Sequence, residues 1–417
     1  MIETKKDIER NLPKGWRWER LGNIVDLQAG IAFKKSEYSK EGVRLFQIAN
    51  VSFNYIKWEE IEYLPKNYIN TYPNLLLHPG DIVMALNRPL LNDKLKIAEI
   101  RNSDTPAILY QRVGRFKFLD NESSRYFLFF LQSPSFISWL KDQLQGVNIP
   151  FINKSKLLSF NHYPKCLLAT QQAIVSKIEE LFSELDKGIE NLRTAQQQLK
   201  TYRQAVLKWA FVNDSFKRFI LKDVTEKIQI GPFGTQLHKE DYIEDGIPLI
   251  NPTHIKGGFI TADISFSILK SKRDSLPNYI LKEGDVIMGR RGEMGRCGLV
   301  TKKEVGWFCG TGSLYYRPDV KKVNPVFLYY NLSSQSVKKY LDDNAGGTTM
   351  ANLNLKIVND IPILLPSIIE QNKIVLEIES RLSVADKMEE SIIQSLQQAE
   401  GLRQSILKKA FEGKLIN

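Results

Sequence analysis

Residues 279–298, YILKEGDVIMGRRGEMGRCG, set Gly284, Gly289, Gly292, Gly295 and Gly298 among Arg290, Arg291 and Arg296, directly after an apolar run. Glycine lets backbone N–H groups approach a phosphate closely, and arginine neutralises it. The stretch could therefore cradle a nucleotide or grip a nucleic-acid backbone. Neither loop signature of a nucleotide pocket is met. G-x-x-x-x-G-K-[ST] does not occur, and Gly289-Arg290-Arg291 stands where G-x-G-x-x-G needs a second glycine.

The other chemistry-bearing residues do not assemble into a catalytic set. Asn251-Pro252-Thr253-His254 touches the Asn-Pro-Pro-aromatic motif of amino-methyltransferases but lacks the second proline and the aromatic that would stack on a flipped base, so it reads as a turn. Pro318-Asp319 could begin a nuclease site, but the next Glu-x-Lys is Glu412-Gly413-Lys414, a whole helix away. His78, His162, His238 and His254 do not cluster at ligand spacing. Cys166, Cys297 and Cys309 lack CxxC spacing, which argues against a disulfide framework or zinc ribbon and fits a reducing, cytoplasmic setting. The N-terminal residues have no signal-peptide core, and no apolar run is long enough to span a membrane.

The elements that must position these residues are legible because the chain repeats itself. TQQAIVSKIEELFSELDKGIENLRTAQQQLKTYRQAVLKWAF, from Thr170, matches EQNKIVLEIESRLSVADKMEESIIQSLQQAEGLRQSILKKAF, from Glu370, without a gap. Gln171 falls on Gln371, Asp186 on Asp386 and Arg203 on Arg403. LLLHPGDIVMALNRP (75–89) echoes YILKEGDVIMGRRGE (279–293), with Gly80-Asp81 on Gly284-Asp285 and Met84 on Met288. Two copies of one unit follow, each a mixed globular domain and then a long helix.

Ile174, Ile178, Leu181, Leu185, Leu192, Ala195, Leu199, Tyr202 and Val206 mostly step by three and four. Ile374, Ile378, Leu382, Ala385, Met388, Ile392, Leu396, Ala399, Leu402 and Ile406 do the same, the stripe of a coiled coil. Ser367 and Glu370 form a capping box for the second helix, and Gly413 ends it. Each helix would run roughly 60 Å at 1.5 Å per residue. A lone helix of that length is marginal, so the stripes should meet each other or a partner. The globular parts read as short strands (DIVMAL, DVIMG, VRLFQIANV, GRFKFL, GLVTK, GSLYYRP) with helical pieces at SSRYFLFFLQSPSFISWLKDQL and NPVFLYYNLSSQSVKKYLDD.

The formal net charge of +11 is unevenly spread. Residues 1–170 hold 24 Lys/Arg against 17 acids and residues 213–369 hold 21 against 17, whereas 171–212 and 370–417 are near neutral. The basic excess lies on both globular domains, as expected of two polyanion-binding heads joined by neutral helices.

This arrangement resembles the specificity subunit of Type I restriction-modification systems over essentially the whole chain. The resemblance rests on LPKGWRWERLGNI, the GDIVM/GDVIMGRRG pair, IGPFGTQL (230–237) and the EQNKIV…LRQSILKKAFEGKL ending. It implies an α+β fold with an internal pseudo-twofold repeat. Target-recognition domains occupy 1–168 and 213–366, and helices 169–212 and 367–417 pair as an antiparallel coiled coil. It implies a non-catalytic chain that reads a bipartite, gapped, asymmetric site on double-stranded DNA. Two modification subunits, adenine methyltransferases, would bind the helices and bring in restriction/translocase subunits. S-adenosylmethionine, ATP and Mg would belong to those partners, with no cofactor, metal or membrane contact in this chain. A Type II-like or fused system, or a free-standing two-headed DNA-binding scaffold, stays open as an alternative.

Half-sites about one helical turn apart, roughly 34–36 Å, suit two such heads. Candidate DNA contacts are basic, amide or hydroxyl residues on Gly-flanked loops. In the first domain these are Lys34, Lys35, Asn87, Arg88, Gln111 and Arg112, and in the second Thr235, Gln236, Arg290, Arg291, Thr311, Ser313, Thr348 and Thr349. Tyr202, Trp209, Phe211 and Phe411, beside the helix stripes, are the candidates for facing a modification subunit.

Overall fold

The computed structural model of the chain describes residues 12–211, 216–291, 295–345 and 353–416. The chain divides into two compact units, Met1–Leu192 with Gln394–Asn417, and Arg193–Ile393. Each unit takes in one globular domain, part of one long helix and part of the other.

The first unit is built on an antiparallel four-stranded sheet in the order Val25–Ala29, Val113–Phe118, Ile82–Ala85, Ile97–Glu99. A smaller sheet sets Val43–Phe46 between Tyr63–Leu64 and Ala107–Leu109, the last pairing parallel. Helices Ser124–Leu131 and Pro134–Gln143 cover the other face. This layering explains why IVMAL, 82–86, is an unbroken apolar run. Ile82 and Met84 join the core under the helices, while Val83 and Ala85 join the core under the small sheet. A strand buried on both faces has no reason to alternate.

The second unit repeats the plan, in the order Thr225–Ile230, Ser313–Pro318, Val286–Gly289, Cys297–Leu299. Val286 and Met288 enter the helix-side core and Ile287 the other. Its small sheet runs Tyr242–Ile243, Ser267–Ile268, Ile247–Ile250, Phe308–Cys309, again with a parallel last pair. The single helical piece expected in each domain is broken into two by a serine cap. Ser133 Oγ accepts from Phe136 N–H, and Ser334 Oγ accepts from Val337 N–H. A short side chain that bonds the backbone three residues on starts a new helix rather than extending the old one.

The repeated Gly-Asp turn has a structural partner that the sequence did not disclose. Asp81 Oδ2 accepts from His78 N–H (2.9 Å) and from the Arg115 guanidinium (3.0 Å). Asp285 accepts from Lys282 N–H (2.8 Å) and takes Arg317 through both oxygens, at 2.8 and 2.7 Å. The carboxylate thus closes its own turn and pairs with an arginine on an inner strand.

Each long helix is 44 residues, Leu168–Phe211 and Ile368–Phe411. The repeated glutamines tie their first turns down. Gln171, fully buried, donates to Glu122 and to Cys166 O and accepts from Ser123 N–H. Gln371, also fully buried, donates to Lys322 O and Pro366 O and accepts from Asn324 N–H. The Ser367–Glu370 capping box forms, and Gly413 takes a positive φ of 68° past the helix end. In the second unit the two helix segments run antiparallel, with Arg203 on Asp386 and Glu389 and Trp209 against Arg381. In the first unit Arg403 pairs with Asp186 and lies 4.3 Å over the Phe182 ring. Met388 and Leu402, two members of the apolar stripe, are more than half exposed, because one neighbouring helix covers only part of so wide a stripe.

Candidate nucleic-acid interface

In the first unit, backbone bonds gather the candidate loops at one end of the four-stranded sheet. Gln111 N–H donates to Ile31 O (3.0 Å), Leu86 N–H to Arg112 O (2.8 Å), Arg88 N–H to Pro150 O (2.6 Å) and Ile152 N–H to Leu86 O (2.9 Å). Gly30 is required here because a Cβ would lie 2.3 Å from Tyr110 O. Lys34 and Lys35 are exposed on the turn after Phe33, which is buried against Tyr72 (ring centroids 5.3 Å). Arg88 and Arg112 are exposed with left-handed backbones, φ 46° and 68°. Side chains other than Gly, Asn or Asp rarely adopt that conformation, and such strain concentrates at functional loops. Asn87 and Gln111 are partly buried beside them. Backbone pairing thus gathers Asn87, Arg88, Gln111 and Arg112, and the turn carrying Lys34 and Lys35 follows the Ile31 segment that pairs with them.

The second unit forms the corresponding cluster. Arg290 N–H donates to Gly312 O (3.0 Å), Gly231 N–H to Ser313 O (2.9 Å) and Leu353 N–H to Arg290 O (3.2 Å). A Cβ on Gly231 would lie 1.9 Å from Gly310 O, the same close approach as at Gly30. Arg291 is exposed and Arg290 partly buried, and burial followed by the neighbouring Arg291 charge lowers the Arg290 pKa. Two guanidiniums that repel each other in a partly dry loop are relieved by a polyanion. Thr235 and Gln236 are exposed, with Gln236 Oε1 accepting from Tyr279 Oη (2.7 Å), and Thr311 is partly buried. Thr348 and Thr349 lie outside the described residues.

Ser313 departs from expectation. It is fully buried, and strand register sets it where the first unit has Val113, also fully buried. It belongs to the strand interior and cannot touch DNA as placed. Two of the proposed partner-facing aromatics are likewise core residues. Phe211 packs on Phe327 (5.2 Å) and Phe411 on Tyr126 (5.1 Å), both with about a twentieth of their surface exposed. Each closes the helix end onto its own unit. Tyr202 and Trp209 are exposed, at 41% and 50%.

The clusters also contain residues that the motif search passed over. In the first unit Tyr38, Gln47 and Tyr110 join Gln111: Gln47 Nε2 lies 3.5 Å from Tyr38 Oη, Tyr38 hydrogen-bonds Tyr110, and Gln111 Nε2 donates to Tyr110 Oη (3.3 Å). Burial first, then Tyr110, pushes the Tyr38 hydroxyl up to about 12. In the second unit Asn251 Oδ1 accepts from Gly312 N–H (3.2 Å), and Tyr242, its pKa raised by burial, hydrogen-bonds Thr311. Matching RLFQIAN with PLINPTH would have exposed the Gln47/Asn251 correspondence. Residues 251–254 are indeed a turn, with a 3-10 helix over Pro252–His254.

Among the described residues no helix is long and apolar enough to cross a membrane, and no group of three or more His, Cys, Asp or Glu could hold a metal. A family model described as the Type I restriction modification DNA specificity domain matches residues 13–193 and again 213–398. The specificity subunit of the Type I restriction enzyme EcoBI of Escherichia coli is 26% identical over 99% of this chain and 90% of its own length. That of MjaVIII from Methanocaldococcus jannaschii is 38% identical over 49% of this chain, which spans under half of that relative. Among solved structures, the HsdS subunit from Thermoanaerobacter tengcongensis shares the fold with a TM-score of 0.60 at 18% identity, over 97% of this chain and 99% of that one. A chain from a structure concerning complex assembly and conformational transition of the type I R-M system reaches 0.73, also at 18% identity, over 97% and 100%. With the model matching both halves in register with the internal repeat, the chain belongs to the Type I restriction-modification specificity family, whose members are non-catalytic specificity subunits.

Proposed function

We propose that this chain reads one bipartite, gapped and asymmetric site on double-stranded DNA, each unit reading one half. It recruits two adenine methyltransferase subunits and, through them, restriction/translocase subunits, in the cytoplasm, and S-adenosylmethionine, ATP and Mg act in those partners. The observation that carries the reading is the recurrence, in both units, of the same basic loop cluster at the same end of the same sheet, with different side chains in it. Arg88, Arg112, Lys34 and Lys35 serve in one, Arg290 and Arg291 in the other, as phosphate holders and base readers. Tyr202 and Trp209 supply partner-facing aromatic surface on the helices.

Mapping methylated adenines in cells carrying the complex tests the whole proposal. A two-part motif with a fixed gap is expected, and a continuous motif or none would overturn it. Inserting four residues into each long helix, about 6 Å at the helical rise, is expected to lengthen the gap while leaving both half-sites unchanged. Replacing Arg290 and Arg291 by alanine is expected to weaken binding of cognate duplex. Unchanged affinity for cognate and random DNA alike would remove that loop from the interface. Co-purification with a methyltransferase chain separates this reading from a free-standing DNA-binding scaffold.

A further inference from the structure

The strand pairing of the two units fixes which residues correspond. Leu45 pairs with Ile108 and Leu249 with Phe308, so Gln47 corresponds to Asn251 and Gln111 to Thr311. Tyr38 and Tyr242 each follow a 3-10 turn, over Lys35–Glu37 and Lys239–Asp241. The same three positions therefore form a partly buried polar group in each unit: Tyr38, Gln47 and Gln111 in one, Tyr242, Asn251 and Thr311 in the other. Exposed cations flank each group, Lys34, Lys35 and Arg112 in the first and Lys239 and Arg291 in the second.

We infer that Gln47 and Asn251 are the equivalent base-reading residues of the two units, Gln47 beside the Tyr38 hydroxyl and Asn251 held by Gly312 N–H, each near phosphate-binding cations. The inference rests on the DNA-reading function proposed above. Both side chains are amides, the group that can donate to and accept from a base edge at once. Both start a turn whose cap does not use them. Gln47 N–H is taken by Asn50 Oδ1 (2.7 Å) and Asn251 N–H by His254 Nδ1 (3.2 Å), so it is the backbone that is bound there.

The two amides are presented differently. Asn251 Oδ1 receives Gly312 N–H, which can only donate, so this atom is the oxygen; among the described residues Nδ2 donates to nothing. Asn251 thus offers N–H donors and selects a base edge rich in acceptors. Gln47 Oε1 accepts nothing among the described residues, and its Nε2 has only the long contact to Tyr38. Gln47 keeps both roles and suits the N6/N7 edge of adenine. The neighbouring position differs to match. Tyr110 fills it in the first unit, while in the second it is Gly310, where a Cβ would fall 2.4 Å from Asn251 Oδ1. The shorter amide and the missing ring go together, giving the two units unlike shapes as well as unlike donors.

The experiment uses the full chain in complex with its modification subunits, with Gln47→Ala, Asn251→Ala and Asn251→Asp. Asn251→Asp keeps an oxygen for Gly312 N–H and exchanges the donors for a second, negatively charged oxygen, so it is scored by its base preferences and not by its overall affinity. Binding is measured on duplexes with each base pair of the mapped site substituted singly, alongside methylation mapping. Gln47→Ala is expected to flatten discrimination about tenfold or more at a position of one half-site, leaving the other half intact. Asn251→Ala and Asn251→Asp should both do so in the opposite half-site. Uniformly weakened binding with every base preference kept would mean a structural role and overturn the inference. So would an Asn251→Asp complex that reads its half-site as the parent does. If the parent complex itself recognises no bipartite site, the proposed function fails instead, and is seen to fail before any variant is compared.

Discussion

Arg115 in the first unit and Arg317 in the second both close onto the aspartate of the Gly-Asp turn, yet they do not occupy the same strand position. Phe116 lies opposite Ile82 and Tyr316 opposite Val286, so Arg115 corresponds to Tyr315, and Arg317 to Lys117. The arginine is two residues further along the same face of the strand. In the first unit Arg115 alone donates to Asp81, Asn74 O, Leu76 O and Gln28. In the second the work is divided. Tyr315 Oη donates to Asn278 O (2.8 Å), while Arg317 takes Asp285 and Ile280 O. What has been kept is the carboxylate, buried at Asp285 and partly exposed at Asp81, and the backbone carbonyls just ahead of its turn. The side chain that satisfies them could move, because alternate residues of a strand share a face and a guanidinium is long.

The comparison can be broken most strongly at Asp285. With 1% of its side chain exposed and a bidentate arginine, Asp285→Ala should cost about 3–5 kcal/mol, the range for stranding one member of a buried pair. Asp81→Ala should cost less, about 2 kcal/mol, because Arg115 keeps three other acceptors. Denaturant unfolding of the full chain measures both, and equal losses would refute the division of labour described here.

A transplant sharpens the same point. Arg115→Tyr alone should destabilise the first unit by about 2 kcal/mol by leaving Asp81 without its cation. Adding Lys117→Arg should restore at least half of that loss, a coupling that a double-mutant cycle reads directly. Purely additive losses would show that the two units' solutions are not interchangeable. Next in size, Gln171→Ala and Gln371→Ala each strand buried helix-start groups, at about 1–3 kcal/mol. Each makes three hydrogen bonds, so the two should agree to within a few tenths of a kcal/mol apart from the charged Glu122 acceptor that Gln171 has where Gln371 has the Lys322 carbonyl. The smallest contrast is on the helices. Arg203 meets two carboxylates and Arg403 one, so Arg203→Ala should exceed Arg403→Ala, but each by no more than about 1 kcal/mol for such exposed pairs.

Much of the molecule was legible in the residue order. The duplication, the two long helices, the Ser367 cap and the strands around Gly-Asp all rest on local signals, namely periodicity, capping chemistry and turns. The candidate loops were found because glycine and arginine mark them. The misreadings have a common cause. Ser313, Phe211 and Phe411 are polar or aromatic residues beside a functional-looking segment, and only packing shows which way each points. Strand register turned Ser313 inward, and the helix ends buried both phenylalanines against Phe327 and Tyr126.

The sequence by itself determined that there are two like units and, along the long helices and around the Gly-Asp turns, which residues of one answer to those of the other, because duplication there preserves order and spacing. Tertiary structure decided that Arg115 and Arg317 serve one role from different positions. It also decided that Gln47, unmarked by any motif, and Asn251, legible only as part of a turn, stand near the cationic loops. Both facts depend on pairings between strands tens of residues apart, and the side-chain direction those pairings impose is not encoded in any local pattern.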